Sequence, residues 1–239
     1  MLTLDHITLR LGAFAIQSDR ITIDQGICGV LGPSGAGKST LLSLIAGFTR
    51  PDGGKILWND KDITVLPPDK RPVGMVFQDN NLFPHLSVYR NLALALTHST
   101  LLSQEQNRLI DKTLERVGLS GLHKRKPGEL SGGQQSRAAL ARVLLQNRPI
   151  MALDEPFAAL GPALKNEMLD LVADLATERG TLVLMVTHDP NDSLRIAPKT
   201  ILVAENKIHL PVDTASLLEN PPKALGQYLG ARSYGQTPK

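Results

Sequence analysis

The sequence predicts an α/β fold with a helical segment inserted into its core, and three stretches carry that prediction. Ile27-Cys28-Gly29-Val30-Leu31 is a short apolar run of buried-strand type, and it feeds a glycine-rich loop and then a helix-like segment. Apolar runs return at 150–153 and 182–187, with a helical pattern near 162–178 between them. From about 81 to 147 the character changes to helices and polar loops, the inserted segment.

Taken in order, residues 1–26 alternate as short strands, with Ile7, Leu9 and Leu11 on one face and Ile21 and Ile23 on another strand. Asp24-Gln25-Gly26 marks a turn before the buried strand. Thr40 to Gly47 continues as a helix that Gly47 ends. Arg50-Pro51-Asp52-Gly53-Gly54 turns the chain into a strand at 55–58, which Asn59-Asp60 turns again. Pro67-Pro68 and Pro72 frame a loop before the strand 73–77. Helices are expected at 88–96, 103–117 and 132–147, and a hairpin around Glu205-Asn206-Lys207. The last 25 or so residues, holding Pro221-Pro222, read as one short helix and a tail.

The 239 residues hold 26 basic and 23 acidic side chains, a net +3, which is too small an excess to imply nucleic acid. It permits a peripheral contact with an anionic membrane face. Cys28 is the only cysteine, so no intrachain disulfide forms, and its apolar setting makes it a buried small residue in a reducing compartment. The N-terminus lacks a signal-peptide pattern, and no run of ~18 apolar residues could span a bilayer. If the chain moves a solute, other subunits form the path.

Gly32-Pro33-Ser34-Gly35-Ala36-Gly37-Lys38-Ser39 fits the phosphate-binding pattern G-x-x-x-x-G-K-[ST], with Thr40 opening the helix beyond it. Such a loop wraps the β- and γ-phosphates with backbone N–H groups at a helix N-terminus. Lys38 supplies charge to the β/γ oxygens, and the Ser39 hydroxyl is placed to ligate Mg²⁺. Asp154-Glu155 ends the apolar run 150–153, where carboxylates face the ligand crevice of an open α/β sheet. Asp154 is expected to reach Mg²⁺ through water, and Glu155 to act as the general base on the attacking water. Ser131 starts a helix with Gln134 three residues on, a capping box, and Gly132-Gly133 leave N–H groups exposed at that positive end.

The phosphate loop, Leu130-Ser131-Gly132-Gly133-Gln134, and Asp154-Glu155 at a strand end together resemble the nucleotide-binding subunit of an ATP-binding cassette (ABC) transporter. The resemblance covers roughly residues 1–230, read as one nucleotide-binding domain, with 231–239 as a tail. It implies a P-loop fold with a RecA-like core, an antiparallel β subdomain and a helical subdomain at about 81–147. It also implies ATP with Mg²⁺, and a head-to-tail homodimer in which Ser131–Gln134 of one copy binds the γ-phosphate held by the other. By the same resemblance Gln78 reaches Mg²⁺ and the attacking water, and His188 hydrogen-bonds the γ-phosphate. His6, His85, His98, His123 and His209 show no metal spacing.

Two positions depart from the family pattern. The usual adenine-stacking aromatic is replaced by Leu11-Gly12, which leaves Phe14 or nothing in these strands to stack on the base. After Glu155-Pro156-Phe157 the chain reads Ala158-Ala159-Leu160-Gly161, where the family has Asp in place of Gly161, so hydrolysis is expected to work but more slowly. The stretch from Arg71 to Val88 looks like bacterial importers fed by a periplasmic binding protein. With Ile45-Ala46-Gly47-Phe48 it is most similar to cassettes of thiamine importers, while ferric iron, sulfate, molybdate and polyamines stay open as cargo. The resemblance implies permease partners and a place at the cytoplasmic face of the inner membrane. A soluble ABC ATPase usually carries two cassettes, a coiled coil or a basic arm. A GTPase would carry N-K-x-D, which is absent here.

Overall fold

A computed structural model describes residues 1–97, 99 and 101–230; His98, Thr100 and the tail 231–239 lie outside the described residues. β1 (Leu2–Leu11) is one long strand, interrupted by a bulge at His6, whose φ is 51°. The bulge shifts the register between Asp5 and Thr8 and switches which parity faces inward. Leu2 and Leu4 are buried before it, Ile7 and Leu9 after it. Leu11, expected on the Ile7–Leu9 face, is 53% exposed, because the strand has run past the core it packs on.

β2 (Phe14–Ser18) and β3 (Ile21–Ile23) pair antiparallel with β1. β4 (Gly26–Leu31) is buried from Ile27 onward and delivers the chain into the glycine-rich loop and α1 (Lys38–Ala46). Gly47 ends α1 in the left-handed region, returning its N–H to Ser43 and Leu44 as the sequence predicts. β5 (Gly53–Trp58) and β6 (Lys61–Asp62) complete the antiparallel part, and β7 (Val73–Val76) opens the other.

Residues 81–147 then hold α2 (Val88–Ala93), α3 (Gln104–Arg116) and α4 (Gly132–Gln146), each started by a serine cap: Ser87, Ser103 and Ser131. β8 (Ile150–Asp154), α5 (Pro162–Arg179), β9 (Leu182–Val186), α6 (Pro190–Ile196) and β10 (Lys199–Ala204) follow in alternation. β11 (Lys207–Ile208) and β12 (Val212–Asp213) are short, and α7 (Thr214–Glu219) and α8 (Lys223–Leu229) replace the single terminal helix expected from the sequence. Asn220 caps α7, and Pro221-Pro222 stop that helix and open the next.

The strands form one sheet in the order β6-β5-β1-β2-β11-β10-β4-β9-β8-β7. From β10 to β7 every pairing is parallel, and from β6 to β2 every pairing is antiparallel, so the expected α/β class holds. The sheet curls around α1. Leu41, Leu42, Leu44 and Ile45 share one apolar core with Leu4 and Ile56 of the antiparallel part and with Val30, Ala152 and Leu184 of the parallel part. A second core binds α2–α5 to the opposite face of the parallel strands through Leu92, Leu114, Leu140, Leu153 and Val172. Registers of Val30 and Asp154 with Val186, and of Val76 with Leu153, bring the carboxyl ends of β4, β9, β8 and β7 to one edge. That edge is where an open parallel sheet binds ligand.

Candidate nucleotide-hydrolysis site

The glycine-rich loop is shaped by steric necessity at two of its glycines. A Cβ at Gly32, φ 154°, would lie 2.0 Å from the Val203 carbonyl oxygen, and one at Gly37, φ 105°, would lie 2.8 Å from Phe14 and Ile16 carbons. Gly37 caps α1 without a side-chain bond, so the first N–H groups of α1 point into the loop. Phe14, left open as an adenine platform, is half-buried in the core beside Ile16, with its ring edge at Gly37.

Lys38 is buried, and its Nζ donates to the Gly32 and Pro33 carbonyls at 2.8 and 2.9 Å. Burial pushes its ammonium below the ordinary lysine value, and the charges of Glu155 and Asp154 work against that. Asp154 ends β8 at 5% exposure, and its Oδ1 has no hydrogen-bond partner. Burial pushes its carboxyl up from the usual aspartate range; the Ser39 hydroxyl and Lys38 pull it down, and Glu155 pushes it up. A buried carboxylate oxygen without a partner, next to a hydroxyl, suits a hard cation that takes oxygen ligands. The residues present therefore fit Mg²⁺.

Glu155 follows in the left-handed region at φ 47°, a conformation that costs about 1–3 kcal/mol in a non-glycine residue. Its N–H donates to the Val186 carbonyl at 3.1 Å, which aims the side chain at the neighbouring strand end. There its Oε2 lies 3.3 Å from His188 Nδ1. The fold thus brings Lys38, Ser39, Asp154, Glu155 and His188 from three strand ends to one place.

Gln78 follows β7 and is exposed. The loop beyond it is pinned to α4, since Arg142 donates to the Asn81 carbonyl at 2.7 Å and the Asn80 carbonyl at 3.4 Å. Ser131 and Gln134 form the expected capping box, with bonds of 2.9 and 3.2 Å. Ser131 and Gly132 are exposed, and the start of α4 rests on Ala159 and Leu160 of the turn after Glu155. Among the described residues no hydrogen bond or ion pair joins Ser131–Gln134 to the Lys38 loop within the chain.

Two contributors carried no signal in the sequence. Tyr228 of α8 places its ring 5.9 Å from Lys38 Nζ and donates its hydroxyl to the His188 carbonyl at 3.3 Å. Lys165 of α5 pairs with Asp189 and Asp192 beside His188. Both come from helices remote in sequence, so no local motif could announce them.

Of the other described histidines, His6 meets Asp5 and His123 meets Asp111, each at 2.9 Å, His85 packs edge-on to Phe83, and the buried Nε2 of His209 has no hydrogen-bond partner. Among the described residues no group of three His, Cys, Asp or Glu side chains could hold a metal. Cys28 is buried as expected, and burial pushes its thiol up to about 12. No helix among the described residues is long and apolar enough to cross a membrane.

The model of the family described as ABC transporter matches residues 18–158, spanning the loop, the Ser131 helix start and Asp154-Glu155. The chain belongs to the ABC transporter family. It is 52% identical to the thiamine import ATP-binding protein ThiQ of Ruegeria sp. (strain TM1040), over 97% of this chain and 100% of that one. It is 54% identical to the thiamine import ATP-binding protein ThiQ of Cereibacter sphaeroides, over 96% of this chain and 100% of that one. Among solved structures it resembles the dimeric post-hydrolysis state of the ATP-binding cassette MJ0796 bound to ADP and Pi. That match has a TM-score of 0.79 and 28% identity, over 90% of this chain and 99% of the other. The cassette is an ATPase of this family.

Proposed function

We propose that this cassette is the ATP-hydrolysing subunit of a binding-protein-dependent importer of thiamine and its phosphates. The full-length identity above 50% to thiamine import ATP-binding proteins carries the cargo. The meeting of Lys38, Asp154, Glu155 and His188 at one sheet edge supports the chemistry.

In this reading residues 1–230 are one nucleotide-binding domain, with its helical subdomain at about 81–147. The loop from Gly32 to Thr40 cradles the phosphates of ATP with backbone N–H groups, and Lys38 leaves its loop carbonyls for the β/γ oxygens. Ser39, Asp154 and Gln78 would hold Mg²⁺, which supplies charge neutralisation on the phosphate oxygens when bound. Glu155 orients the attacking water and takes its proton, and His188 meets the γ-phosphate while steadied by Glu155. Catalysis is then positioning plus charge stabilisation rather than covalent chemistry.

Ser131 and Gly132 face solvent at a helix N-terminus, with Gly133 and Gln134 half-buried behind them, which suits an anion brought by a second copy. Two chains would close head to tail over two ATP molecules, as the dimeric state of MJ0796 makes reasonable. A groove of about 430 Å³ lined by Phe48, Phe77, Phe83, Leu94 and Arg142 opens beside the loop that follows Gln78. Phe48 and Phe83 are exposed there, an apolar seat suited to a membrane permease. The permease would hold the chain at the cytoplasmic face of the inner membrane, with a solute-binding protein on the other side.

ATPase assays of the chain–permease complex in lipid, with binding protein and single solutes added, test this reading. Stimulation by thiamine or its phosphates, and not by sulfate or ferric iron, is expected. Stimulation by a different solute would keep the machine and replace the cargo.

A further inference from the structure

We propose that Lys165 is a positioning residue for ATP hydrolysis, clamping the turn that carries Glu155 to the turn that carries His188; this rests on the site reading above. Lys165 lies in the first turn of α5, its N–H bonded to the Gly161 carbonyl at 2.9 Å. From Gly161 the chain leads straight back to Glu155 through the Pro156–Leu160 turn, which the Ala158 and Leu160 N–H groups close onto Glu155 and Phe157.

The Lys165 Nζ stands 2.6 Å from Asp189 Oδ2 and 2.6 Å from Asp192 Oδ1. Asp189 is the residue after His188 and caps α6 by accepting from the Asn191 N–H at 3.0 Å. Thr187, the residue before His188, donates to Asp192 Oδ2 at 2.7 Å and accepts from the Asp189 N–H at 3.1 Å. His188 is therefore held between two anchored neighbours, and one ammonium ties both anchors to α5. A cavity of about 60 Å³ lined by Glu155, Lys165, Thr187, His188 and Asp192 lies at this junction, so the parts have room to move if the tie is cut.

The electrostatics make the cluster depend on one cation. Asp192 is 10% exposed at its side chain and Lys165 19%, so solvent screens the pair only partly. Burial alone would lower the Lys165 ammonium, and its bonds to Asp189 and Asp192 outweigh that and hold it above the ordinary value. Without Lys165 two carboxylates face each other across the start of α6, and repulsion displaces the turn that bears His188.

The fold itself does not need the clamp. β8 and β9 are joined by their own ladder, and α5 is anchored by Met168, Leu169, Val172 and Leu175 in the core. A neutral residue at 165 should therefore change geometry at the site more than it changes stability.

The test compares full-length wild type, Lys165→Met and Lys165→Arg by steady-state kcat and KM for MgATP, fluorescent-nucleotide Kd, and thermal midpoint. Lys165→Met should lower kcat about tenfold to a hundredfold, the scale of a small misplacement, while Kd stays within about twofold. Lys165→Arg, whose guanidinium can span both carboxylates, should restore most of kcat. A Lys165→Met kcat close to wild type overturns the proposal. So does a Met variant that loses kcat, nucleotide affinity and midpoint together, or unfolds, since the role is then ordinary support. An Arg variant as slow as Met overturns it as well. A wild type without MgATP hydrolysis overturns the site reading itself, and this proposal with it.

Discussion

Arg71 offers the most quantitative test of how the loop helix is held. It is 1% exposed, and its guanidinium donates to four backbone carbonyls: Leu44 at 2.6 Å, Ile45 at 2.9 Å, Leu66 at 2.9 Å and Thr64 at 2.6 Å. Leu44 and Ile45 lie in the last turn of α1, where the Leu44 carbonyl has only the Gly47 N–H at 3.3 Å and the Ile45 carbonyl has no donor from its own helix. The cation thus caps the negative end of the helix whose opposite end carries Lys38. Arg71→Met removes four bonds to a charged group, about 1.5–3 kcal/mol each, or roughly 6–12 kcal/mol gross. Against this stand several kcal/mol recovered because a charge no longer has to be desolvated. The net loss is about 3–5 kcal/mol, a large part of the ~5–15 kcal/mol that holds a typical domain together.

Urea unfolding, followed by far-UV circular dichroism and by the fluorescence of Trp58, the single tryptophan, measures that loss. Coincident transitions justify reading it as a free energy. Lys at this position keeps the charge but not the fork of donors, so Arg71→Lys should fall between wild type and Met. A loss below about 1 kcal/mol for Arg71→Met would refute the reasoning, because it would mean that the four carbonyls find other donors.

Glu155→Gln should retain ATP binding and lose about 10²–10⁴-fold in kcat. It should also run as a dimer in size exclusion with excess ATP and Mg²⁺, and a monomer there counts against the head-to-tail sandwich. Gly161→Asp fits without strain, since its Cβ meets nothing within 4 Å and its φ of −68° and ψ of 158° suit a helix cap. It should add a few tenths of a kcal/mol of stability and raise turnover in the assembled complex, and unchanged turnover would refute the second part. Asp154 has a raised folded-state pKa, so its stabilising contribution is complete below the unfolded value of 3.8 and is lost as pH rises through the raised one. Asp154→Asn should then raise the thermal midpoint of the nucleotide-free chain at neutral pH, less so as pH falls toward about 4, while abolishing Mg²⁺-dependent hydrolysis. A midpoint difference that ignores pH would show that the buried charge is not the cause.

Local chemistry was written in the sequence wherever neighbours in the chain are also neighbours in space. The loop from Gly32 to Ser39, the serine cap and Gln134 of α4, the Gly47 stop and the apolar strands at 27–31, 150–153 and 182–187 all follow from residue type at fixed spacing. Those features were enough to name the phosphate loop, the carboxylate pair and the α/β class. The bulge at His6 was not legible, because alternation that changes parity within one strand looks like two short strands until the pairing with β5 is seen.

Tertiary structure alone decided which side chains act on one another at the site. The burial of Asp154 without a partner for Oδ1, the contact of Glu155 with His188, and the cap that Arg71 places on α1 all depend on strand order and register. The reach of Tyr228 from α8 to Lys38, and of Lys165 from α5 to the residues flanking His188, depends on helices that the sheet folds back across its edge. Sequence patterns report periods of two to four residues, whereas these contacts span from 24 residues, Lys165 to Asp189, to 190 residues, Lys38 to Tyr228.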